Sequence, residues 1–329
     1  MDGMSKKEIR FTSTGDPVRH KPLSLRIWQN RGFYFMFLPV FAFVLIMYYW
    51  PMLGIRFSFF EYKASGRGAM TWVGLQHFQT MFLNPIKAPA FWTAFKNTIE
   101  LSVVKLLITT FASVIVSIFL NEMQNIHAKK ALQTVIYLPH FMSWAVVASI
   151  FSLFLSPSST GLVNGILQSA GVLKDGEYIY FLASSAWWKP IYYLINIWKE
   201  TGWGTIIFLA TLSGINPELY EAADIDGASR GQKIWYVTVP ALANTIITVL
   251  ILNLAKVMNL FESVFVLYNT AVYDVSDVIS TYIYRQTFAT MNPDYGFSTA
   301  VGLFKSLVGC VLVLVCNWAS KKTRGRGII

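Results

Sequence analysis

Charge is scarce in this chain. Only 13% of its 329 residues are Asp, Glu, Lys or Arg, where a soluble domain carries about 25%. Together with 54% hydrophobic residues, that deficit excludes an ordinary soluble domain and points to a bilayer. Cysteine is scarce as well. Cys310 and Cys316 lie in one apolar run, and at about 100° per residue they face different sides of a helix, which excludes a bridge between them. Two thiols are also too few for a metal site, so they read as small packing residues. Histidine is limited to His20, His77, His127 and His140, none at ligand spacing from another His, Cys or acid. The patterns G-x-S-x-G, H-E-x-x-H and G-x-x-x-x-G-K-[ST] are missing. The segment from Gly227 to Lys233 has a phosphate loop's glycines without its spacing or its Ser/Thr. With no nucleophile, general base or metal site assembled, the chain reads as non-catalytic, with no cofactor of its own.

Positive charge is present, and its placement matters. The net charge of +10 comes from Lys and Arg at the two ends and in two short loops, the distribution of a polytopic membrane protein. No basic domain stands apart from the apolar runs, so nucleic acid is not the expected partner.

The expected fold class is an all-α membrane protein with six transmembrane helices. Residues 1–31 form a basic tail with Lys6, Lys7, Arg10, Arg19, Lys21, Arg26 and Arg31. They are too long and irregular for the basic start of a signal peptide. Residues 32–320 form the membrane domain, with spans near 33–55, 95–120, 132–155, 191–212, 242–260 and 297–319. A further short helix is expected around Val278 to Phe288. Residues 321–329 form a basic end with Lys321, Lys322, Arg324 and Arg326. An even number of spans puts both basic ends, the Lys129/Lys130 loop and the loop with Arg230 and Lys233 on one side, the cytoplasmic one.

One polar stretch interrupts this pattern. Residues 215–240 contain EAADIDGASRGQKIWYVTVP. Asn216 and Pro217 suit the N-cap and first position of a helix. Ser229 and Gln232 fit a capping box that opens a second short helix. Small residues, acids and apolar anchors lie close together between the two, the composition of a docking surface rather than of a solvated connector.

Glu221, Ala222, Ala223, Gly227 and Pro240 resemble the EAA loop of ABC-importer permeases. Val237 and Val239 stand where that pattern has Ile and Leu. WVGLQHF, FKNTIELSVVKLL, YLPHFMSWAVVAS, VFVLYNTAVYD and YGFSTAVGLFKS extend the resemblance over most of the chain. It is similar to the carbohydrate-uptake permeases of type I importers, in the oligosaccharide and polysaccharide subgroup. The resemblance implies a second permease, a paralogue by preference. It also implies two ATPase subunits that bind ATP and Mg, an extracytoplasmic solute-binding protein and a sugar cargo. Glu221, Ala222, Ala223, Asp224, Gly227 and Pro240 would then couple the membrane part to the ATPases, Glu221 by contacting basic residues there. Localisation would be the bacterial cytoplasmic membrane.

In such importers the sugar path runs between the helices flanking the loop, here the fourth and fifth spans. Lys199, Glu200, Trp203, Asn253 and Lys256 are the candidates that follow. Ionisable residues inside a membrane are functional candidates in general, and Lys105 and Lys305 qualify on that ground too. Lys256 calls for a carboxylate partner, which makes an anionic sugar such as an alginate-like uronate the expected cargo. A pectin-derived or neutral oligosaccharide is the alternative. A membrane-bound sugar transferase would need paired acids at the interface and a channel subunit a repeated pore element; neither pattern is present.

Overall fold

The computed structural model describes residues 23–62 and 70–324. The basic tail up to Lys21, the side chain of Arg26 and the end at Arg326 lie outside the described residues. The chain forms two units, Met1–Arg56 and Phe57–Ile329.

The first unit holds α1 (Leu23–Gln29) and α2 (Arg31–Val44), followed by a wide π-helical turn, Leu45–Tyr49, and by α3 (Trp50–Met52). Arg31 lies over the Trp28 ring. Phe35, Met36, Leu38 and Trp50 are all exposed. A helix that is apolar on every side is one whose solvent is hydrocarbon.

The second unit begins with a short hairpin, β1 (Phe60–Tyr62) and β2 (Met70–Trp72), antiparallel with Phe60 opposite Trp72. α4 (Gln76–Leu83) follows, and His77 on it donates from Nε2 to the Phe60 carbonyl oxygen at 3.0 Å, a structural contact. α5 (Lys87–Glu122) has 36 residues and is about 54 Å long, more than enough to cross the bilayer. α6 (Ile126–Tyr137) and α7 (Trp144–Phe154) come next, then α8 (Leu162–Ser169) and the 28-residue α9 (Ser185–Leu212). α10 (Pro217–Ile225) and α11 (Arg230–Lys233) make up the polar loop. A second π-helical turn, Ile234–Thr238, leads into α12 (Val239–Leu254). The chain then folds back through α13 (Glu262–Phe265) and α14 (Tyr273–Ser276) to α15 (Ile279–Phe288), and ends with α16 (Tyr295–Arg324). Among the described residues four stretches, 31–59, 87–122, 230–254 and 295–322, are helical, long and apolar enough to cross a membrane. α9 has the length but carries Lys189, Lys199 and Glu200.

Two apolar runs are not single helices. The run at 132–155 breaks between α6 and α7, with a bend of 102°. Pro139 interrupts the helical ladder, and Ser143 caps α7 by accepting from the Val146 N–H at 3.3 Å. The run at 242–260 ends as a helix at Leu254 and continues as a 3-10 turn, Val257–Asn259. Ser102 on α5 donates to the Val257 carbonyl freed there, at 2.8 Å. Non-helical backbone at membrane depth survives where protein supplies such partners.

α5 and α9 pack closely because small residues line their seam. A Cβ on Gly204 would stand 2.3 Å from Ser113 Oγ of α5; against α6, one on Gly202 would stand 2.3 Å from the Ile136 carbonyl oxygen. Ser113 donates to the Thr201 carbonyl at 3.1 Å across the same seam. Small residues and side-chain hydrogen bonds are what bring helices together when lipid offers no hydrophobic drive. Leu101, Trp188, Tyr192 and Val264 join this pair to the folded-back segment in one core. Phe91, Met258, Tyr282 and Phe297 form a second.

Candidate functional site

The polar loop is built by local chemistry. The Asn216 side chain accepts from the Glu218 N–H at 3.1 Å, with Pro217 as the first helical residue. α10 ends where Gly227 takes φ +72°, a left-handed conformation that a Cβ resists. Ser229 and Gln232 form the reciprocal box: Ser229 Oγ accepts from the Gln232 N–H, and Gln232 Oε1 from the Ser229 N–H. Glu221 and Ala222 are exposed on α10, and Ile225 is 87% exposed. Asp224 is exposed too, yet its carboxylate is engaged by the Lys233 ammonium at 2.7 Å. Pro240 opens α12 just after the π-helical turn.

The second feature is a cleft of about 550 Å³ among α5, α9 and α12. α9 contributes Glu200 and Trp203, and α12 contributes Asn253, with Lys256 just beyond its end. These are four of the five residues expected on the path. Lys199 lies elsewhere. It is buried and absent from the lining, because a helix turns it about 100° from Glu200. Its ammonium donates to the carbonyls of His140 and Met142 at 2.9 and 2.8 Å and lies near the Trp144 ring. It closes the break between α6 and α7.

α5 supplies a third wall of the cleft. Lys105, Thr109 and Ser113 line the cleft from that side. An ammonium inside an apolar run was the signal for Lys105. His140 was not legible. It packs on the Trp203 ring with centroids 5.0 Å apart and planes within 13°, and its Nδ1 lies 3.3 Å from the Glu200 carboxylate. Half of Trp203 is still exposed. His140 covers one indole face, and the ring keeps exposed surface toward the cleft it lines.

The electrostatics of the cleft are lopsided. Lys105 and Lys256 face it together with one carboxylate, Glu200, which lies near Lys105 and 3.3 Å from His140 Nδ1. Among the described residues no carboxylate pairs with Lys256. Asn253 turns its amide back onto the Val249 carbonyl of its own helix. Such a cleft can hold a hydroxyl-rich ring against Trp203 and a negative group near Lys256. No arrangement in it resembles a nucleophile with its base.

Comparison with known proteins adds an independent line. The family model described as binding-protein-dependent transport system inner membrane component matches residues 113–325. Protein LplB of Bacillus subtilis is 38% identical over 302 residues, 91% of this chain and 92% of that protein. The polygalacturonan/rhamnogalacturonan transport system permease protein YteP of the same organism is 38% identical over 312 residues, 94% of each. A solved structure of a bacterial ABC transporter involved in the import of the acidic polysaccharide alginate is similar with a TM-score of 0.81 at 37% identity, covering 92% of this chain and 100% of that one. A second structure, of a bacterial alginate ABC transporter in complex with alginate pentasaccharide-bound periplasmic protein, gives 0.81 at 36% identity, covering 94% and 100%.

Proposed function

Because the chain belongs to the family of inner-membrane components of binding-protein-dependent transport systems, we propose that it forms one half of the path by which an acidic oligo- or polysaccharide enters the cell. Its fold is that of a type I ABC-importer permease, and it is a transport component that catalyses no reaction. The observation that carries the cargo reading is the cleft: Lys105, Lys256 and the half-exposed Trp203 line it together, and among the described residues no carboxylate pairs with Lys256. A sugar uronate supplies the two features the cleft lacks, a flat apolar ring face and an anion. The alginate transporter similar in structure is described as importing an acidic polysaccharide, which supports the same class. A pectin-derived oligosaccharide is the second reading, supported by the likeness to the polygalacturonan permease, whose cargo is also a uronate polymer.

In this reading both ends of the chain and the loop at 215–240 face the cytoplasm, and the six spans lie near the apolar runs named above. A second permease, a paralogue, completes the path. Two ATPase subunits seat α10 through Glu221, Ala222, Ala223 and Asp224, and bind the ATP and Mg. A solute-binding protein delivers the sugar from outside. Closure of the ATPases then rocks the permeases between inward-facing and outward-facing states.

The deciding experiment is purification of this permease from its native membrane, followed by ATPase measurement in liposomes. An ATPase and a second permease should co-purify. Hydrolysis should rise with binding protein loaded with oligoalginate or oligogalacturonate. Stimulation by neutral oligosaccharides alone would overturn the acidic-cargo reading, and purification as a lone catalytic protein would overturn transport.

A further inference from the structure

Between α10 and α12 the chain turns at Gly227, the residue with φ +72°. A turn at glycine is a natural hinge. If α10 swung on it, movement imposed on that helix would be absorbed before reaching the membrane. The structure contains a device against this slack.

Tyr220 and Asp224 are one turn apart on α10 and so lie on the same face. The Tyr220 hydroxyl is 2.9 Å from Thr238 Oγ1. Thr238 is fully buried in the π-helical turn, and its own hydroxyl donates to the Lys233 carbonyl. That second contact is long, 3.5 Å, so either hydroxyl can be the donor in the Tyr220–Thr238 bond. The Lys233 ammonium reaches back to Asp224 at 2.7 Å. The four residues close a ring of polar contacts that bridges the Gly227 turn. One tie would permit rotation of α10; two ties a turn apart fix its rotation as well as its distance.

The two ties are unequal. Asp224 is 60% exposed at its side chain, and an ion pair in that setting is screened and contributes little. The Tyr220–Thr238 bond ends on a buried hydroxyl, where losing the partner leaves a polar group unsatisfied.

We infer that Tyr220 and Thr238 are positioning residues for transport: their hydrogen bond makes α10 and α12 one rigid lever, so that displacement of α10 reaches the cleft. From Val239 to Asn253 the lever is about 21 Å long, and Lys256 lies just past its end. This inference rests on the transport reading, in which α10 is the helix an ATPase moves.

The test uses the reconstituted complex with its partner permease, ATPases and binding protein. Tyr220→Phe removes one hydroxyl and leaves the outward face of α10 with Glu221 and Ile225 untouched, so the ATPase subunits should still co-purify in full. Sugar transported per ATP should fall about two- to tenfold, the range for a lost neutral hydrogen bond. Thr238→Val should do the same, and the double variant should be no worse than either single one. Thr238→Ser, which keeps the hydroxyl, should retain the wild-type ratio. Amide exchange across residues 217–229 should speed up in the Tyr220→Phe complex. A wild-type ratio in Tyr220→Phe, or additive losses in the double variant, would overturn the lever. So would unchanged exchange across the loop. A wild-type complex that no sugar-loaded binding protein stimulates would overturn the transport reading, and the lever with it.

Discussion

The ammonium of Lys199 sits 2.8 Å from the Met142 carbonyl, with His140 as its second acceptor. A charge inside an apolar helix thus serves the backbone of a neighbouring broken span. Its sequence neighbour Glu200 faces the cleft instead. The two residues should therefore fail in different ways. Lys199→Met should destabilise the protein by about 2 kcal/mol, since two part-buried carbonyls lose a charged donor. The thermal midpoint of the solubilised complex should drop by several degrees. Glu200→Gln should leave that midpoint in place and alter transport. An unchanged midpoint in Lys199→Met would place that ammonium on the path after all.

Lys256 is expected to discriminate by cargo charge. Lys256→Met should lower uptake of uronate oligosaccharides at least about tenfold, the loss of one charge-assisted contact, while neutral oligosaccharides gain relative to them. Competition between oligoalginate and a neutral oligosaccharide of equal length reads this directly. Full oligoalginate uptake in the variant would remove the charge argument.

Gly227 is expected to be intolerant of a side chain. A branched residue held at its positive φ costs about 1–2 kcal/mol, so Gly227→Leu should rearrange the turn. Sugar-dependent ATPase activity should fall while insertion into the membrane persists. Gly227→Asn, which visits that region more readily, should fall less. Glu221→Lys should also uncouple, through charge reversal on the exposed face of α10. Normal sugar-dependent hydrolysis in Gly227→Leu is the result that counts against the coupling role.

Acid sensitivity should trace to Asp294. This residue precedes α16, accepts from the Phe297 N–H at 3.0 Å and pairs with Lys87 at 2.9 Å. Burial alone would raise its carboxyl; the hydrogen bonds from Phe297 and Lys87 outweigh that, and it is held below its usual value. A depressed carboxylate adds stability above its unfolded value, near 3.9. That stability is lost as pH falls through the lower folded value. Asp294→Asn should flatten this acid limb between about pH 5 and pH 2. An equally steep decline of the thermal midpoint in the variant would assign the limb to other groups.

Local chemistry was legible and long-range chemistry was not. Asn216, Gly227 and the Ser229–Gln232 box act within one turn of themselves, so the two helices of the polar loop followed from residue types. The short helix expected around Val278 to Phe288 is α15. Glu200, Trp203, Asn253 and Lys256 meet in one cleft because periodicity places them on facing sides. The break at Pro139 to Ser143 is held by Lys199, some 57 positions away from Met142. The end of α12 at Leu254 is answered by Ser102, 155 positions from Val257. Hydropathy counts apolar residues in a row and carries no trace of such partners. The acceptors of Lys199 are likewise main-chain carbonyls, which composition never displays.

The π-helical turn at Ile234–Thr238 has a consequence for length variation. A wide turn holds one residue more than a regular helix needs. Deleting Val237 would let the turn relax to ordinary α-helix, with Asn253 kept on its present side. The same deletion a turn later, at Ala243, would rotate everything beyond it by about 100° and take Asn253 off the cleft. A chain of this fold can shed a residue at the root of α12 far more safely than within it.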